Sequence, residues 1–291
     1  MSAATARRQP TPVLVRTGLG AALIVAVALM LAVDSAWDAG YLYAAVLVSV
    51  SAIGLSEFGS LADRLGMGIR RTVLVVGGAG IFLLQWAGWV LETLDPWLVG
   101  MGAVCVLTMV LLGARVVRAE IEGAVESVGA TVAGWIYIPL LLGFLTGVRM
   151  EWGVAGIITV LGVCKAGSSG AYFAGTFVGR RRLAPRVSPS KTVAGAVGAV
   201  LGAVLAAYLL SRSPWAVMRP SVAPLFGLLV AGAAMVGDLA ASLLKREARL
   251  KDSGQLLPGL GGMLDMVDDV LFAAPVSFLF LRVYAAVAAG G

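Results

Sequence analysis

The sequence predicts an all-α polytopic membrane protein with about nine transmembrane helices and a cytoplasmic N-terminus. Of its 291 residues, 59% are hydrophobic and only 13% are charged, and the mean hydropathy is +0.94. Soluble domains average roughly a quarter charged residues. The composition therefore excludes a water-soluble enzyme. The chain also has no histidine, which excludes histidine-based acid–base catalysis and histidine-ligated zinc.

Nine apolar stretches approach the length of about 20 residues that a membrane-spanning helix needs. In chain order they cover residues 18–33, 40–56, 73–91, 97–113, 125–148, 152–178, 193–210, 222–243 and 267–288. The first stretch lacks an evident cleavage site of small residues, so we interpret it as a retained helix and not as a signal peptide. We divide the chain into a cytoplasmic segment, 1–17, N-terminal transmembrane helices, 18–148, and a C-terminal catalytic region, 149–291.

The basic residues predict which loops face the cytoplasm. With the N-terminus inside, 17 of the 22 lysine and arginine residues fall in inside segments, and only Arg149, Arg212 and Arg219 fall in outside loops. This asymmetry follows the positive-inside rule. We therefore attribute the sequence pI of about 9.7 to membrane orientation and anionic lipid headgroups, and we expect no nucleic-acid partner.

The acidic residues of the N-terminal half are interpreted as solvated charges in loops or beside a membrane boundary. They are Asp34, Asp38, Glu92, Asp95, Glu120, Glu122 and Glu126. In the C-terminal half, by contrast, polar residues cluster at the cytoplasmic ends of three successive hairpins. These three clusters are where we look for chemistry.

The first two clusters each allow a structural and a functional interpretation. Lys165 lies inside an apolar span with two serines, where a charge is costly, so we expect a partner for it. The second cluster is SPSKT, residues 188–192, in which Ser188 as N-cap with Pro189 at the first helical position would begin a helix. The same helix end, with Lys191, would also form an anion site.

The third cluster runs from Gly237 to Asp269. Asp238, Ser242 and Lys245 share one helix face, and Asp238 lies about two turns inside an apolar run, where an unpaired carboxylate is expensive. A basic, glycine-rich loop follows, and the next span opens with Asp265, Asp268 and Asp269. Carboxylate oxygens suit Mg²⁺, and the lysine and arginine side chains suit phosphate.

The spacing within this cluster resembles the signature of the phosphatidate cytidylyltransferases, or CDP-diacylglycerol synthases. That signature reads approximately S-x-x-K-R-x-x-x-x-K-D-x-G-x-x-x-P-G-H-G-G-x-x-D-R-x-D. The matching residues are Ser242, Lys245, Arg246, Lys251, Asp252, Gly254, Pro258, Gly259, Gly261, Gly262, Asp265 and Asp268. The upstream GAYFAG and SPSKT segments also look like elements of this family.

The resemblance implies that CTP and phosphatidate react to give CDP-diacylglycerol and pyrophosphate for phospholipid synthesis. It implies Mg²⁺, with a second cation possible, a homodimer among membrane lipids, and a bacterial-type inner membrane with the active site on the cytoplasmic side. The predicted catalytic residues are Asp238, Lys245, Lys251, Asp252 and Asp265. The predicted phosphate-binding residues are Ser188, Lys191, Thr192, Ser242 and Arg246, and the predicted metal ligands are Asp238, Asp265 and Asp268.

Four positions depart from the family pattern. Leu260 replaces the signature histidine, Met266 an arginine, Ser168 or Ser169 an acidic residue, and Ala194 a glutamate. Three alternatives follow. In the first, the chain is a divergent enzyme that uses Lys165, Asp268 or Asp269 in place of the four missing family side chains. In the second, it is a CTP-dependent enzyme with another lipid acceptor. In the third, it is a catalytically impaired homologue that acts as a lipid-binding scaffold.

Overall fold

The computed structural model describes residues 13–35, 40–92, 94–256 and 261–290, and within these ranges the all-α polytopic class is confirmed. The helices are α1 Val13–Asp34, α2 Tyr41–Arg64, α3 Arg71–Leu91, α4 Pro96–Val117, α5 Ala124–Trp135, α6 Leu141–Val178, α7 Val193–Ser211, α8 Ala223–Glu247 and α9 Met263–Gly290. A π-helical turn, Ile136–Leu140, joins α5 to α6, and the strands β1 Arg182–Ala184 and β2 Ser188–Thr192 form an antiparallel hairpin. Every predicted span overlaps one of these helices.

Seven helical stretches in the described part of the chain are long and apolar enough to cross a membrane. One of them, Ala124–Val178, contains 55 residues. Straight, it would measure about 80 Å at 1.5 Å per residue. A bilayer core is about 30 Å thick, so this stretch must turn back on itself.

The turn lies at Gly153, whose φ of 61° and ψ of −156° break the helix within α6. A Cβ placed on Gly156 would lie 3.1 Å from the carbonyl oxygen of Val148, whereas eight residues of continuous helix span about 12 Å. The residues on each side of the turn reach the same part of α9. The Tyr137 ring packs 6.1 Å from the Phe272 ring, and Lys165 Nζ lies 2.8 Å from Asp269 Oδ1. We call residues 124–152 the first arm and residues 154–178 the second arm. The structure therefore places the boundary at Gly153, the second residue of the predicted span 152–178.

The start of α7 differs from the prediction. Ser188 does not cap a helix, because residues 188–192 pair with β1 as an extended strand. The helix instead begins after Thr192, whose Oγ1 accepts a hydrogen bond from Gly195 N at 3.0 Å. The prediction for Ser188 was wrong because it ignored the backbone partner that the preceding RRRLA segment supplies.

Asp34 is not a solvated loop charge, so that interpretation was wrong. Its side chain is fully buried, and its Oδ2 accepts hydrogen bonds from Nε and Nη2 of Arg149 at 3.2 and 3.0 Å. Its Oδ1 accepts from Tyr43 N at 3.0 Å. The end of the first arm covers the end of α1, and this packing excludes water from the carboxylate.

The second arm and α7 meet backbone to backbone. A Cβ on Gly198 would overlap the carbonyl oxygen of Gly170, and one on Gly202 would lie 2.6 Å from the carbonyl oxygen of Ala166. Only glycine allows this approach, which is typical of helix pairs in membranes. The close packing positions the β1–β2 hairpin, which lies between these two helices in the chain, beside α8.

Some predictions fall on residues outside the described ranges. They include Arg7 and Arg8 of the N-terminal segment, and Pro258, Gly259 and Leu260 of the signature loop. The division of the chain at residues 17 and 148 stays a prediction.

Candidate active site

A cavity of about 710 Å³ lies among the second arm, the β1–β2 hairpin, α7, α8 and α9. Much of its wall is glycine and alanine, which leaves room between the helices. The polar side chains on its wall include Ser168, Arg182, Lys191, Thr192, Asp238 and Asp269. Three of these six, Lys191, Thr192 and Asp238, were predicted as site residues from the sequence.

Lys191 and Asp238 form an ion pair at the cavity wall. Lys191 Nζ lies 2.5 Å from Asp238 Oδ2, which joins the SPSKT segment of β2 to α8. The Asp238 side chain is 42% exposed, so its carboxylate also faces open space. The pairing explains how Asp238 is tolerated inside an apolar helix, because the lysine compensates its charge.

Asp269 of α9 receives Lys165 and Ser168 from the second arm. Lys165 Nζ donates to Asp269 Oδ1 and Oδ2 at 2.8 and 3.0 Å, and Ser168 Oγ donates to Oδ2 at 2.9 Å. The expected partner of Lys165 is thus confirmed. Ser168, one of the residues that depart from the family pattern, thus donates a hydrogen bond to the Asp269 carboxylate.

Asp265, one turn earlier on α9, lies in a different environment. Lys245 Nζ donates to its Oδ1 at 2.5 Å, and the backbone N–H groups of Ser253 and Gly262 donate to its Oδ2 at 2.8 and 3.0 Å. A carboxylate that reaches back to the residue before the helix is the acidic half of a capping box. These contacts tie the loop after α8 to the start of α9.

Glu57 of α2 also holds that loop in place, although no motif in the sequence pointed to this residue. Its carboxylate accepts hydrogen bonds from Met263 N at 2.7 Å, Leu264 N at 2.8 Å and Ser253 Oγ at 2.9 Å. It therefore caps the N-terminus of α9 from the other half of the chain. The available signal was an acidic residue within an otherwise apolar helix, which usually has a defined partner.

The other predicted site residues lie apart from the cavity wall. Ser188 and Ser242 are buried, and Arg246 donates from Nε to the carbonyl oxygen of Val187. Lys251 and Asp252 are exposed on the loop after α8. Asp268 is buried, and its Oδ1 accepts from Asp269 N at 2.7 Å. Their predicted roles stay predictions.

Comparison with known proteins identifies the family of the chain. The model of the Cytidylyltransferase family matches residues 14–284. The chain belongs to this family. It is 32% identical over 249 residues to the phosphatidate cytidylyltransferase of Brucella suis biovar 1 (strain 1330), which covers 82% of this chain and 88% of that protein.

Two further relatives match this cytidylyltransferase-family chain over a shorter stretch. The phosphatidate cytidylyltransferase of Thermotoga maritima is 35% identical over 163 residues, covering 54% of this chain and 60% of that protein. The Uncharacterized protein YnbB of Escherichia coli (strain K12) is 32% identical over 182 residues, 60% of each chain. These two alignments thus span about 60% of the relatives' length. The resemblance seen in the sequence motifs is confirmed at the level of the family.

The carboxylates of this cytidylyltransferase-family protein differ in how well they suit a magnesium ion. Among the described residues, no three histidine, cysteine, aspartate or glutamate side chains are grouped so as to hold a metal. Magnesium in phosphate-transfer sites is usually bound by one or two carboxylates together with substrate phosphates and water. Asp238, partly exposed on the cavity wall, fits that mode. Asp265 fits it less well, because Lys245 and two backbone N–H groups already occupy its oxygens.

Proposed function

We propose that this protein is a CTP:phosphatidate cytidylyltransferase that makes CDP-diacylglycerol and pyrophosphate for phospholipid synthesis. The observation that carries the proposal is the ion pair of Lys191 and Asp238 on the wall of the cavity. It joins the SPSKT segment to the cluster from Gly237 to Asp269, and each of the two contains motifs that resemble this family. Relatives that bear the name phosphatidate cytidylyltransferase add support.

The reaction joins two phosphate groups. An oxygen of the phosphatidate phosphate attacks the α-phosphorus of CTP, the bond from that phosphorus to the bridging oxygen breaks, and pyrophosphate leaves with the electron pair. Because phosphatidate is an anion at neutral pH, no protein base has to remove a proton. Positioning and charge balance therefore dominate the catalytic task, which suits a chain without histidine.

Within the cavity, Lys191 would balance the charge of bound phosphates, and Thr192 holds the start of α7 beside it. Lys165 and Ser168 keep the Asp269 carboxylate in one orientation. Bound Mg²⁺ would supply further charge neutralisation at the phosphate oxygens. Asp238 is the residue proposed to hold it, with Asp265 and Asp268 as the further predicted ligands and a second cation possible.

We further propose nine spans with a cytoplasmic N-terminus and a cytoplasmic active site in a bacterial-type inner membrane. The seven long apolar stretches become nine when α1 is added and Ala124–Val178 is counted as two arms. The distribution of basic residues supports the orientation. The homodimer is proposed from the family resemblance.

The test is the formation of labelled lipid from radiolabelled CTP and phosphatidate by purified protein in detergent with Mg²⁺. We expect CDP-diacylglycerol as product, and a loss of turnover of at least about 100-fold in Asp238→Asn. The matched control is Asp63→Asn, which removes an exposed carboxylate that is paired with Arg71 at the surface.

Three results would contradict parts of this proposal. Wild-type turnover in Asp238→Asn would refute the assigned site. Transfer of label to a prenyl phosphate or alcohol in preference to phosphatidate would indicate a different lipid acceptor. Absence of both CTP binding and CTP turnover would favour the lipid-binding scaffold.

A further inference from the structure

The β1–β2 hairpin carries Arg182 to the cavity wall. Arg182 lies opposite Thr192 in the register of the two strands, and paired residues of an antiparallel ladder point to the same face. Gly179, just before β1, makes this placement possible, because a Cβ there would lie 2.6 Å from Thr192 Oγ1. In the sequence, Arg182 stands out only as one of the basic residues that orient the membrane spans.

The charges on the cavity wall leave Arg182 unbalanced. Lys191 is paired with Asp238, and Asp269 is paired with Lys165. The Arg182 side chain is exposed and has no ion pair or hydrogen bond to any residue in the part of the chain that the structure describes. Arg182 therefore adds a positive charge to the cavity that no carboxylate of the described residues compensates, and this charge favours phosphate-bearing ligands.

The second arm, which precedes the arginine run in the chain, also carries an exposed aromatic surface suited to lipid. Tyr172 lines the cavity and is 67% exposed, and Phe173 and Phe177 on the same helix are 56% and 81% exposed. The three rings form one row, with centroids 5.6 and 6.4 Å apart. Exposed aromatic rings beside a run of arginines are typical of the membrane–water interface, where lipid phosphates lie.

We propose that Arg182 binds the phosphate group of the lipid substrate at the cavity wall. This inference rests on the proposed function, because it names the residue that recognises the lipid in that reaction. A guanidinium suits the role, since its planar fork donates two parallel hydrogen bonds to phosphate oxygens. The aromatic row formed by Tyr172, Phe173 and Phe177 would contact the acyl chains of the same lipid.

The experiment compares Arg182→Ala and Arg182→Lys with Arg186→Ala. Arg186 is exposed in the turn of the same hairpin and does not line the cavity, so it controls for the change of charge. Initial rates are measured in mixed micelles, with dioleoyl phosphatidate varied at saturating CTP and CTP varied at saturating phosphatidate. We expect Arg182→Ala to raise the KM for phosphatidate about tenfold, the effect of one lost charge-assisted contact. The KM for CTP should change by less than about twofold, as should both constants in Arg186→Ala.

Arg182→Lys should fall between the wild type and Arg182→Ala, because lysine keeps the charge and loses the fork. A second measurement does not depend on turnover. Dioctanoyl phosphatidic acid, dioctanoyl phosphatidylcholine and CTP are each titrated into the purified protein by calorimetry, and unfolding temperatures confirm that the variants are folded. Arg182→Ala should weaken only the binding of phosphatidic acid.

The inference is overturned if Arg182→Ala leaves both the KM and the affinity for phosphatidate unchanged, or if it weakens CTP instead. These failures are distinct from failure of the proposed function. A wild type that binds phosphatidic acid through Arg182 without consuming CTP contradicts the proposed reaction and supports the lipid-binding role of Arg182. An active wild type with an unaffected Arg182→Ala contradicts only that role.

Discussion

Replacing Glu57 with alanine tests whether the N-terminal half of the chain supports the candidate active site. Glu57 lies on α2, yet its carboxylate accepts hydrogen bonds from the first two backbone N–H groups of α9 and from the Ser253 hydroxyl. The substitution leaves those N–H groups without their acceptor. It also frees one side of the loop that Asp265 and Lys245 hold on the other side.

The expected loss in the free energy of unfolding is the sum over the three contacts that Glu57→Ala removes. Loss of a helix N-cap costs about 0.5–2 kcal/mol, and loss of a negative charge beside the helix N-terminus adds about 0.3–1 kcal/mol. The hydrogen bond from Ser253 adds about 1 kcal/mol. Glu57→Ala should therefore lower the free energy of unfolding by about 2–4 kcal/mol. At about 2–4 °C per kcal/mol, the midpoint of thermal unfolding should fall by about 5–15 °C.

The assay is thermal unfolding of the purified protein in detergent, followed by tryptophan fluorescence, with turnover measured in parallel. Glu57→Gln keeps an acceptor oxygen without the charge, so it should fall between the wild type and Glu57→Ala. Glu122→Ala removes an exposed glutamate from the loop before α5 and serves as the control. A Glu57→Ala variant that unfolds within about 2 °C of both the wild type and the control would refute the assigned capping role.

Three further substitutions test other parts of the structure. Arg149→Met leaves the buried Asp34 carboxylate without its cation and should lower the free energy of unfolding by about 3–5 kcal/mol. The double variant with Asp34→Leu should recover most of that loss. Equal melting temperatures of the single and double variants would contradict a buried pair. Gly198→Val should separate the second arm from α7 and lower both stability and turnover, while Gly102→Val, which has open space around it, should melt like the wild type. Lys165→Met removes the cation that holds the Asp269 carboxylate of α9 at the cavity. We expect kcat to fall in a protein that still binds CTP in calorimetry. An unchanged kcat would show that the pair is only structural.

The helices were predictable because their cause is local. In hydrocarbon, each span must satisfy its own backbone hydrogen bonds, so an apolar run of sufficient length is enough to predict a helix. The stretch 193–210 is found as Val193–Ser211, and 73–91 as Arg71–Leu91. A break between the spans 125–148 and 152–178 was also predicted, and the structure places the turn at Gly153.

The environment of single charges was less predictable. Asp34 and Glu57 are each surrounded by residues that are remote in the chain: Arg149 reaches the first, and the start of α9 reaches the second. Nothing in the local sequence distinguishes Asp34 from a solvated loop residue. Which helix end covers which loop depends on the packing of the whole bundle.

At the candidate site, too, the relevant residues could be predicted from the sequence, but the pairing of their charges could not. The motifs identified Lys191, Asp238 and Asp265 as chemically relevant, and all three residues lie within the range that the family model matches. From the sequence, Asp238 and Asp265 were expected to lie together, since both fall at the predicted cytoplasmic ends of neighbouring spans. In the structure they bind different lysines, and only Asp238 is among the residues that line the described cavity.

The sequence by itself determined the membrane class, the positions of the helices and the family, because each depends on composition or on fixed spacing within one segment. The tertiary structure decided how the charges are paired. It joined Lys165 to Asp269, Lys191 to Asp238 and Lys245 to Asp265, and so left Arg182 without a partner at the cavity among the residues described. The physical reason is that a buried charge is stabilised by whichever opposite charge the packed helices bring within a few ångströms, and sequence separation does not encode that distance.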